Sequence, residues 1–333
     1  MRVTVLGGGS WGTALAWLLA GKGFPVHLWC RDAEQAAAMA RDRVNARYLP
    51  DLSLPDPVAP TANLEAALAG AGLVVVAVPT RAVRVTLQLL PGRAPETSPV
   101  VLAAKGLERE SGLRLSEVAA DELGAGAPVA VLSGPNLSGE VVRGVPTATV
   151  IASASEAVAR ELRETFGTPA FRVYTNADLP GVELGGALKN PIAVAAGISD
   201  GLGFGENTKA ALLTRGLAEM IRLGTAAGGR AATFSGLSGL GDLLATSHSP
   251  LSRNYRLGLA LGRGASLDHA LESLRQTAEG VPTTDAACRL AARLEVEVPI
   301  LTALRGVLFQ AMPVREAVTA LLARPYRDED QQD

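Results

Sequence analysis

Short apolar runs alternate with helix-period segments through the first half of this chain, and then the strand signal stops. Residues 2–6 (Arg-Val-Thr-Val-Leu) are β-rich, and 13–20 read as a helix. Residues 25–30 form a second strand. A weak strand at 58–61 leads into a short helix ending near 69. Residues 73–78 are continuously apolar, the pattern of a parallel strand buried on both faces. Pro79 ends that run and a helix follows to about 90. Further strands are expected at 100–103, 129–132, 148–151 and 170–174, with a helix over 156–166. From about 179 to 322 the periodicity is helical, broken by short glycine turns.

Strands alternating with helices predict a parallel sheet built from βαβ units. The expected fold is therefore an N-terminal α/β, Rossmann-type doubly wound domain over 1–178, followed by an all-α domain over 179–333. The first strand runs straight into Gly7-Gly8-Gly9-Ser10-Trp11-Gly12 and then into the first helix. Strand, glycine turn and helix is the context a G-x-G-x-x-G match requires, and Gly7, Gly9 and Gly12 satisfy it. The first glycine makes the tight turn, the second lets backbone approach a pyrophosphate, and the third lets helix pack on strand. Free N–H groups and the positive helix end would hold the phosphates. At the end of the second strand, where an acidic residue would bond a ribose, stands Cys30, followed by Arg31. Arg31 is a candidate contact for the 2′-phosphate of NADP. Asp32 reads as a helix N-cap, with Gln35 placed as in a capping box.

Composition narrows the class. With 31 Lys+Arg against 33 Asp+Glu, the formal charge of −2 provides no net field for nucleic acid or an anionic membrane. The two cysteines, Cys30 and Cys288, are not spaced as metal ligands or as a disulfide framework. No apolar run reaches the ~20 residues of a membrane span. A soluble cytoplasmic protein is expected.

Lysine is scarce: Lys22, Lys105, Lys189 and Lys209 among the 31 cations. Lysine can lose its proton where arginine cannot. Lys22 lies in a helix-ending Gly-Lys-Gly turn, and Lys209 begins a helix as an expected surface residue. Lys105 leaves the carboxyl end of a sheet strand, where ligands of doubly wound sheets bind. Ser133-Gly134-Pro135-Asn136 leaves another strand in the same sense. Lys189 follows Gly185 and Gly186 by one turn in an apolar stretch, where the glycines are expected to leave room for a ligand. A buried ammonium needs a partner. Desolvation, with Lys105 as a second cation, would lower the Lys189 pKa toward a proton-transfer role; a snorkelling lysine is the plain alternative. Pro191 is expected to kink or break that helix. Asp242 reads as a helix cap or, with His248, as half of a His–Asp hydride-transfer pair. Ser252-Arg253-Asn254 opens another helix, and a hydroxyl, a guanidinium and an amide beside free N–H groups suit a phosphate.

Taken in order, several of these segments resemble one family. They are residues 7–16, Lys105-Gly106-Leu107-Glu108, Ser133-Gly134-Pro135, Leu188-Lys189-Asn190, residues 199–205, residues 214–219, Gly239-Leu240-Gly241-Asp242, Ser252-Arg253-Asn254 and Glu279-Gly280. The chain resembles the bacterial NAD(P)-dependent sn-glycerol-3-phosphate dehydrogenases over nearly its whole length. The resemblance implies NADP or NAD as cofactor. It implies hydride transfer to and from C2 of dihydroxyacetone phosphate, with sn-glycerol 3-phosphate supplied to glycerophospholipid synthesis, and a homodimer. By position, Lys189 resembles the catalytic proton donor and acceptor. Gly9, Ser10, Trp11, Gly12, Arg31, Lys105, Ser138, Arg253, Thr277 and Glu279 correspond to cofactor contacts. Lys105, Gly134, Asn136, Lys189, Asp242, Ser252, Arg253 and Asn254 correspond to substrate contacts. Asn136 replaces the usual Ser or Thr, Ser138 an Ala, Thr277 a Val, and Pro191 a β-branched residue. Two other readings stand beside this one: a related β-hydroxyacid-type reductase, and a non-catalytic NADP-binding sensor.

Overall fold

The computed structural model describes residues 1–92, 97–274 and 277–324. It divides into two compact units, Met1–Lys105 with Arg114–Leu179, and Gly106–Leu113 with the chain from Pro180 onward.

The first unit is an α/β sandwich. Ten strands occur among its described residues: β1 (Val3–Leu6), β2 (Val26–Trp29), β3 (Val44–Asn45), β4 (Leu49–Ser53), β5 (Val58–Thr61), β6 (Leu73–Val76), β7 (Val100–Leu102), β8 (Val129–Ser133), β9 (Thr147–Ser153) and β10 (Phe171–Asn176). Eight form one sheet in the order β10-β9-β8-β7-β6-β1-β2-β5. β1 lies between β2 and β6, with Val5 registered against Leu28 on one side and Val75 on the other. The connections leave β1 in opposite directions, and the crevice outside the carboxyl ends of the strands at such a reversal is where this architecture takes its ligand. All of β1 and β6 is buried, because helices cover both faces of the sheet. The core gathers Val3, Val5, Leu15, Leu19, Leu28, Val75 and Val101, with Phe166 and Phe171 at one end.

The strands and helices expected from the pattern are present, with differences that have local causes. β9 pairs antiparallel with β8, so β9 and β10 run against the remaining strands. The helix Leu115–Leu123 and the small hairpin β3–β4 carry no strong period in the sequence. The hairpin is held by Arg43, which turns at φ 55 and donates to the carbonyls of Val58, Leu54 and Pro55.

The second unit is helical. Its longest helix, Leu179–Gly201, runs through Pro191 without ending, contrary to the expected break. The helix interior tolerates the proline because packing on neighbouring helices outweighs the lost backbone bond. One neighbour is the helix Arg253–Gly262. A Cβ on Gly258 would lie 1.9 Å from the Val194 carbonyl oxygen, and one on Gly197 would lie 2.1 Å from that of Tyr255. The two backbones therefore touch, and only glycine fits on either side. Lys209 is buried rather than superficial: it pairs with Asp200 at 2.7 Å, and the Tyr255 hydroxyl donates to the same carboxylate oxygen. Among the described residues, no helix is long and apolar enough to cross a membrane.

Candidate functional site

Each unit collects one group of the expected residues. In the first, the glycine turn joins β1 to the helix Ser10–Gly21. Gly7 has φ +125, and a Cβ there would lie 2.6 Å from the Ala77 carbonyl oxygen. A Cβ on Gly12 would lie 1.9 Å from the Gly7 carbonyl oxygen, so helix and strand meet backbone to backbone. At Gly9, by contrast, a Cβ would meet nothing within 4 Å. Gly9 is the helix N-cap, with no side chain satisfying the first N–H groups. Tight turn, close packing and one open position are what a pyrophosphate cradle requires, so the turn fits a dinucleotide. Ser10 and Trp11 begin the helix half-buried, and the Trp11 Nε1 is buried with no protein acceptor.

At the end of β2, Cys30 is buried and Arg31 is exposed. Burial, then the nearby Asp32, pushes the Cys30 thiol up to about 12, so it stays protonated and carries no charge to a ribose. Asp32 does cap its helix, accepting from the N–H groups of Glu34 and Gln35 at 3.0 and 3.2 Å. The expected capping-box partner behaves differently: the Gln35 amide donates to the Gly8 carbonyl at 2.7 Å.

Beyond β7 and β8 the unit gathers Lys105, Gly134 and Asn136. The Lys105 ammonium donates to the Gly134 carbonyl at 2.6 Å. Gly134 has φ +139 and lies against Thr149, where a Cβ would meet the Thr149 Cα at 3.1 Å. Asn136 donates to the Thr149 hydroxyl at 2.9 Å, and its Oδ1 is buried without a protein donor. Ser138 opens the four-residue helix Ser138–Val141. Nothing in the sequence marks Thr149 as a supporting residue.

In the helical unit the centre is Lys189, 6 % exposed. Its ammonium donates to Asp242 Oδ1 at 3.0 Å and to the Thr246 hydroxyl at 2.6 Å. Thr246 in turn donates to Asp242 at 3.2 Å, closing a buried triangle. The carboxylate gives the buried ammonium a countercharge. Asp242 is thus not an N-cap: Gly241 holds that position without a side-chain cap. Nor does it partner His248, which is exposed and whose Nδ1 meets the Leu244 carbonyl at 3.0 Å. Gly185 does not leave room for a ligand either. A Cβ there would lie 2.9 Å from the Ser238 carbonyl oxygen. The absent side chain lets the π-helical turn Leu237–Gly241 approach, and that turn carries Asp242 to Lys189. Thr246 is the residue that sequence reasoning misses; its position one helical turn after Asp242 is the available signal.

Ser252 caps the helix Arg253–Gly262 by accepting from the Tyr255 N–H at 3.2 Å. Arg253 is exposed at its first position. The buried Asn254 amide donates to Asn190 Oδ1 at 2.7 Å, and its own Oδ1 accepts from the Gly280 N–H at 2.9 Å. Asn254 therefore ties together the neighbour of Lys189 and the start of the helix Gly280–Arg293, just beyond Thr277 and Glu279.

The sequence matches two family descriptions, NAD-dependent glycerol-3-phosphate dehydrogenase N-terminus over residues 2–159 and its C-terminus over residues 178–319. The chain belongs to this family. A glycerol-3-phosphate dehydrogenase [NAD(P)+] of Moorella thermoacetica is 51 % identical over 97 % of this chain and 96 % of its own. Another, of Thioalkalivibrio sulfidiphilus, is 51 % identical over 98 % of both chains. The crystal structure of the glycerol-3-phosphate dehydrogenase of Coxiella burnetii superposes with a TM-score of 0.94, at 40 % identity, over 97 % of this chain and 99 % of that one. A ketopantoate reductase of Ralstonia eutropha, at 17 % identity and a TM-score of 0.58, shares the fold alone.

Proposed function

We propose that this chain reversibly reduces dihydroxyacetone phosphate to sn-glycerol 3-phosphate with NADPH or NADH. The observation that carries the reading is the buried Lys189–Asp242–Thr246 triangle in a chain that also holds an open glycine cradle for a dinucleotide. An ammonium held in an apolar helix with a carboxylate and a hydroxyl beside it is a positioned proton donor.

In this reading Gly9, Ser10, Trp11 and Gly12 hold the cofactor pyrophosphate through backbone N–H groups, and Arg31 meets the adenosine end. Ser138, Thr277 and Glu279 complete the cofactor contacts. When bound, the reduced nicotinamide supplies the hydride that C2 accepts. Arg253, at the positive end of its helix, pairs with the substrate phosphate, and Ser252 and Asn254 shape the same helix start. Gly134, Asn136 and Lys105 serve the substrate from the sheet unit. The Lys189 ammonium gives its proton to the oxygen on C2 and regains it in oxidation. Asp242 holds that ammonium and lowers the cost of its burial.

The product is the glycerol backbone that glycerophospholipid synthesis consumes, which fits a cytoplasmic enzyme. We further propose that it is a homodimer, to be checked by sedimentation. The test of the reaction is NADPH and NADH oxidation with dihydroxyacetone phosphate beside a panel of unphosphorylated and β-branched ketoacids. Turnover confined to the phosphorylated ketone is expected; turnover of a ketoacid instead would assign a different reductase activity. Arg253→Ala is expected to raise KM for the ketone by at least about tenfold and to change cofactor affinity less.

A further inference from the structure

The Gly8 carbonyl points away from the open face of the glycine turn, into a pair of side-chain amides. Gln35 Nε2 donates to it at 2.7 Å and Asn45 Nδ2 at 3.0 Å. Asn45 is 1 % exposed, a polar side chain placed under a ligand loop. Its amide nitrogen also reaches the Thr13 hydroxyl at 2.8 Å, and its oxygen faces Gln35 Nε2 at 3.4 Å. The two amides thus lock each other as well as the carbonyl. Neither comes from the turn: Gln35 lies on the helix Ala33–Asp42, and Asn45 is the last residue of β3. Arg43, anchored on three carbonyls, sets the path into β3.

A trans peptide is planar, so its C=O and the following N–H point in opposite directions. Pinning the Gly8 oxygen inward therefore turns the Gly9 N–H outward, at the position where a side-chain carbon would meet nothing within 4 Å. We infer that Asn45 and Gln35 are positioning residues for the cofactor: they hold the Gly8–Gly9 peptide so that its N–H faces the pyrophosphate before the ligand arrives. The pyrophosphate is common to NADH and NADPH, so loss of the amides weakens both cofactors alike. This separates their role from that of Arg31, which reads the 2′-phosphate. Pre-setting a donor in this way removes an ordering cost from binding.

The test is equilibrium binding of NADPH and of NADH to the purified protein without substrate, followed by nucleotide fluorescence, for Asn45→Ala, Gln35→Met and the pair. Single variants are expected to raise Kd by about three- to tenfold for both nucleotides, the scale of losing one donor to a polar group. The double variant should exceed either. Turnover at saturating cofactor and KM for dihydroxyacetone phosphate should stay within about twofold, because the chemistry lies elsewhere. Unchanged Kd in folded variants would overturn the inference, as would a loss confined to NADPH or a fall in saturated kcat. Should Asn45→Ala fail to fold, the half-buried Gln35→Met decides: an unaltered Kd there also overturns it.

Discussion

The candidate site at residues 7–12 is made of contiguous backbone; the candidate site around Lys189 is made of side chains far apart in sequence. The glycine turn is contiguous, and it offers N–H groups at a helix start that no side chain caps. Lys189 instead meets Asp242 and Thr246, 53 and 57 residues further on. The turn tolerates crowding at one position, Gly9, and at neither Gly7 nor Gly12. The lysine cluster depends on glycines that touch no reacting group: Gly185 admits the turn that carries Asp242, and Gly197 and Gly258 set the helix that carries Asn254. The backbone site therefore leans on two side-chain amides outside it, which hold the Gly8 carbonyl, and the side-chain site on glycines remote from its chemistry.

The sharpest break between the two regions comes at Lys189. Lys189→Ala should cost about 10²–10⁴-fold in kcat, the scale of general acid–base catalysis, with nucleotide Kd unmoved. Lys189→Arg keeps the charge but cannot give up its proton, and should lose most of kcat as well. An arginine variant turning over near the parent rate would reduce the site to a fixed charge.

Next in size is a pair of glycine substitutions read by thermal unfolding. Gly258→Val forces a side chain against the Val194 carbonyl and should destabilise the protein by about 3 kcal/mol or more, the upper range for overpacking. Gly9→Ala meets no neighbour. Its Tm should hardly move while nucleotide Kd rises. Equal Tm losses at both positions would erase the distinction between a backbone site and a packed one.

A pH titration probes the helical unit without touching its lysine. Glu219 is buried and accepts from the N–H groups of Ile300 and Leu301, at 2.7 and 3.3 Å, at the start of the helix Pro299–Phe309. Burial pushes its carboxyl up from the ordinary 4.5 to about 7, against the pull of those two donors and of Arg222 and Arg324. Between these values the folded chain holds a proton that the unfolded chain has released. The contribution of Glu219 to stability is therefore fullest below about 4.5, declines as pH rises toward about 7, and is level above it. Denaturant unfolding across this window should show that decline, and Glu219→Gln should remove it. An identical pH profile in the variant would assign the slope to other groups.

The smallest effect is expected at Arg31. Arg31→Ala should raise KM for NADPH by several-fold and that for NADH by less, as befits an exposed charge on one phosphate. Equal changes would remove the 2′-phosphate contact from the adenosine end of the sheet unit.

The difference between the regions also explains what the sequence makes legible. Strand periods, the glycine spacing and the Asp32 cap follow from residues within a few positions of each other, and all appear in the fold. Where the local pattern misleads, a distant contact intervenes. Gln35 is spaced to close its own helix cap but reaches Gly8, 27 residues away. Lys209 has the pattern of a surface residue but is buried by Asp200 and Tyr255. Pro191 belongs at a break, in a helix that neighbouring helices hold intact. Asp242 reads as a cap or the partner of His248, since nothing near it in sequence points to Lys189.

By itself, then, the sequence determined the alternation of strands and helices, the place of the dinucleotide turn and the scarcity of lysine that draws attention to Lys105 and Lys189. Each is local: a period, a spacing or a residue type that acts through bonds and near neighbours. The tertiary structure alone decided which carboxylate meets the lysine, that Thr246 joins them, and that Asn45 comes to lie under Gly8. Those pairings depend on how closely backbones approach, and that distance is set by glycines and carbonyls that become neighbours only when the helices pack.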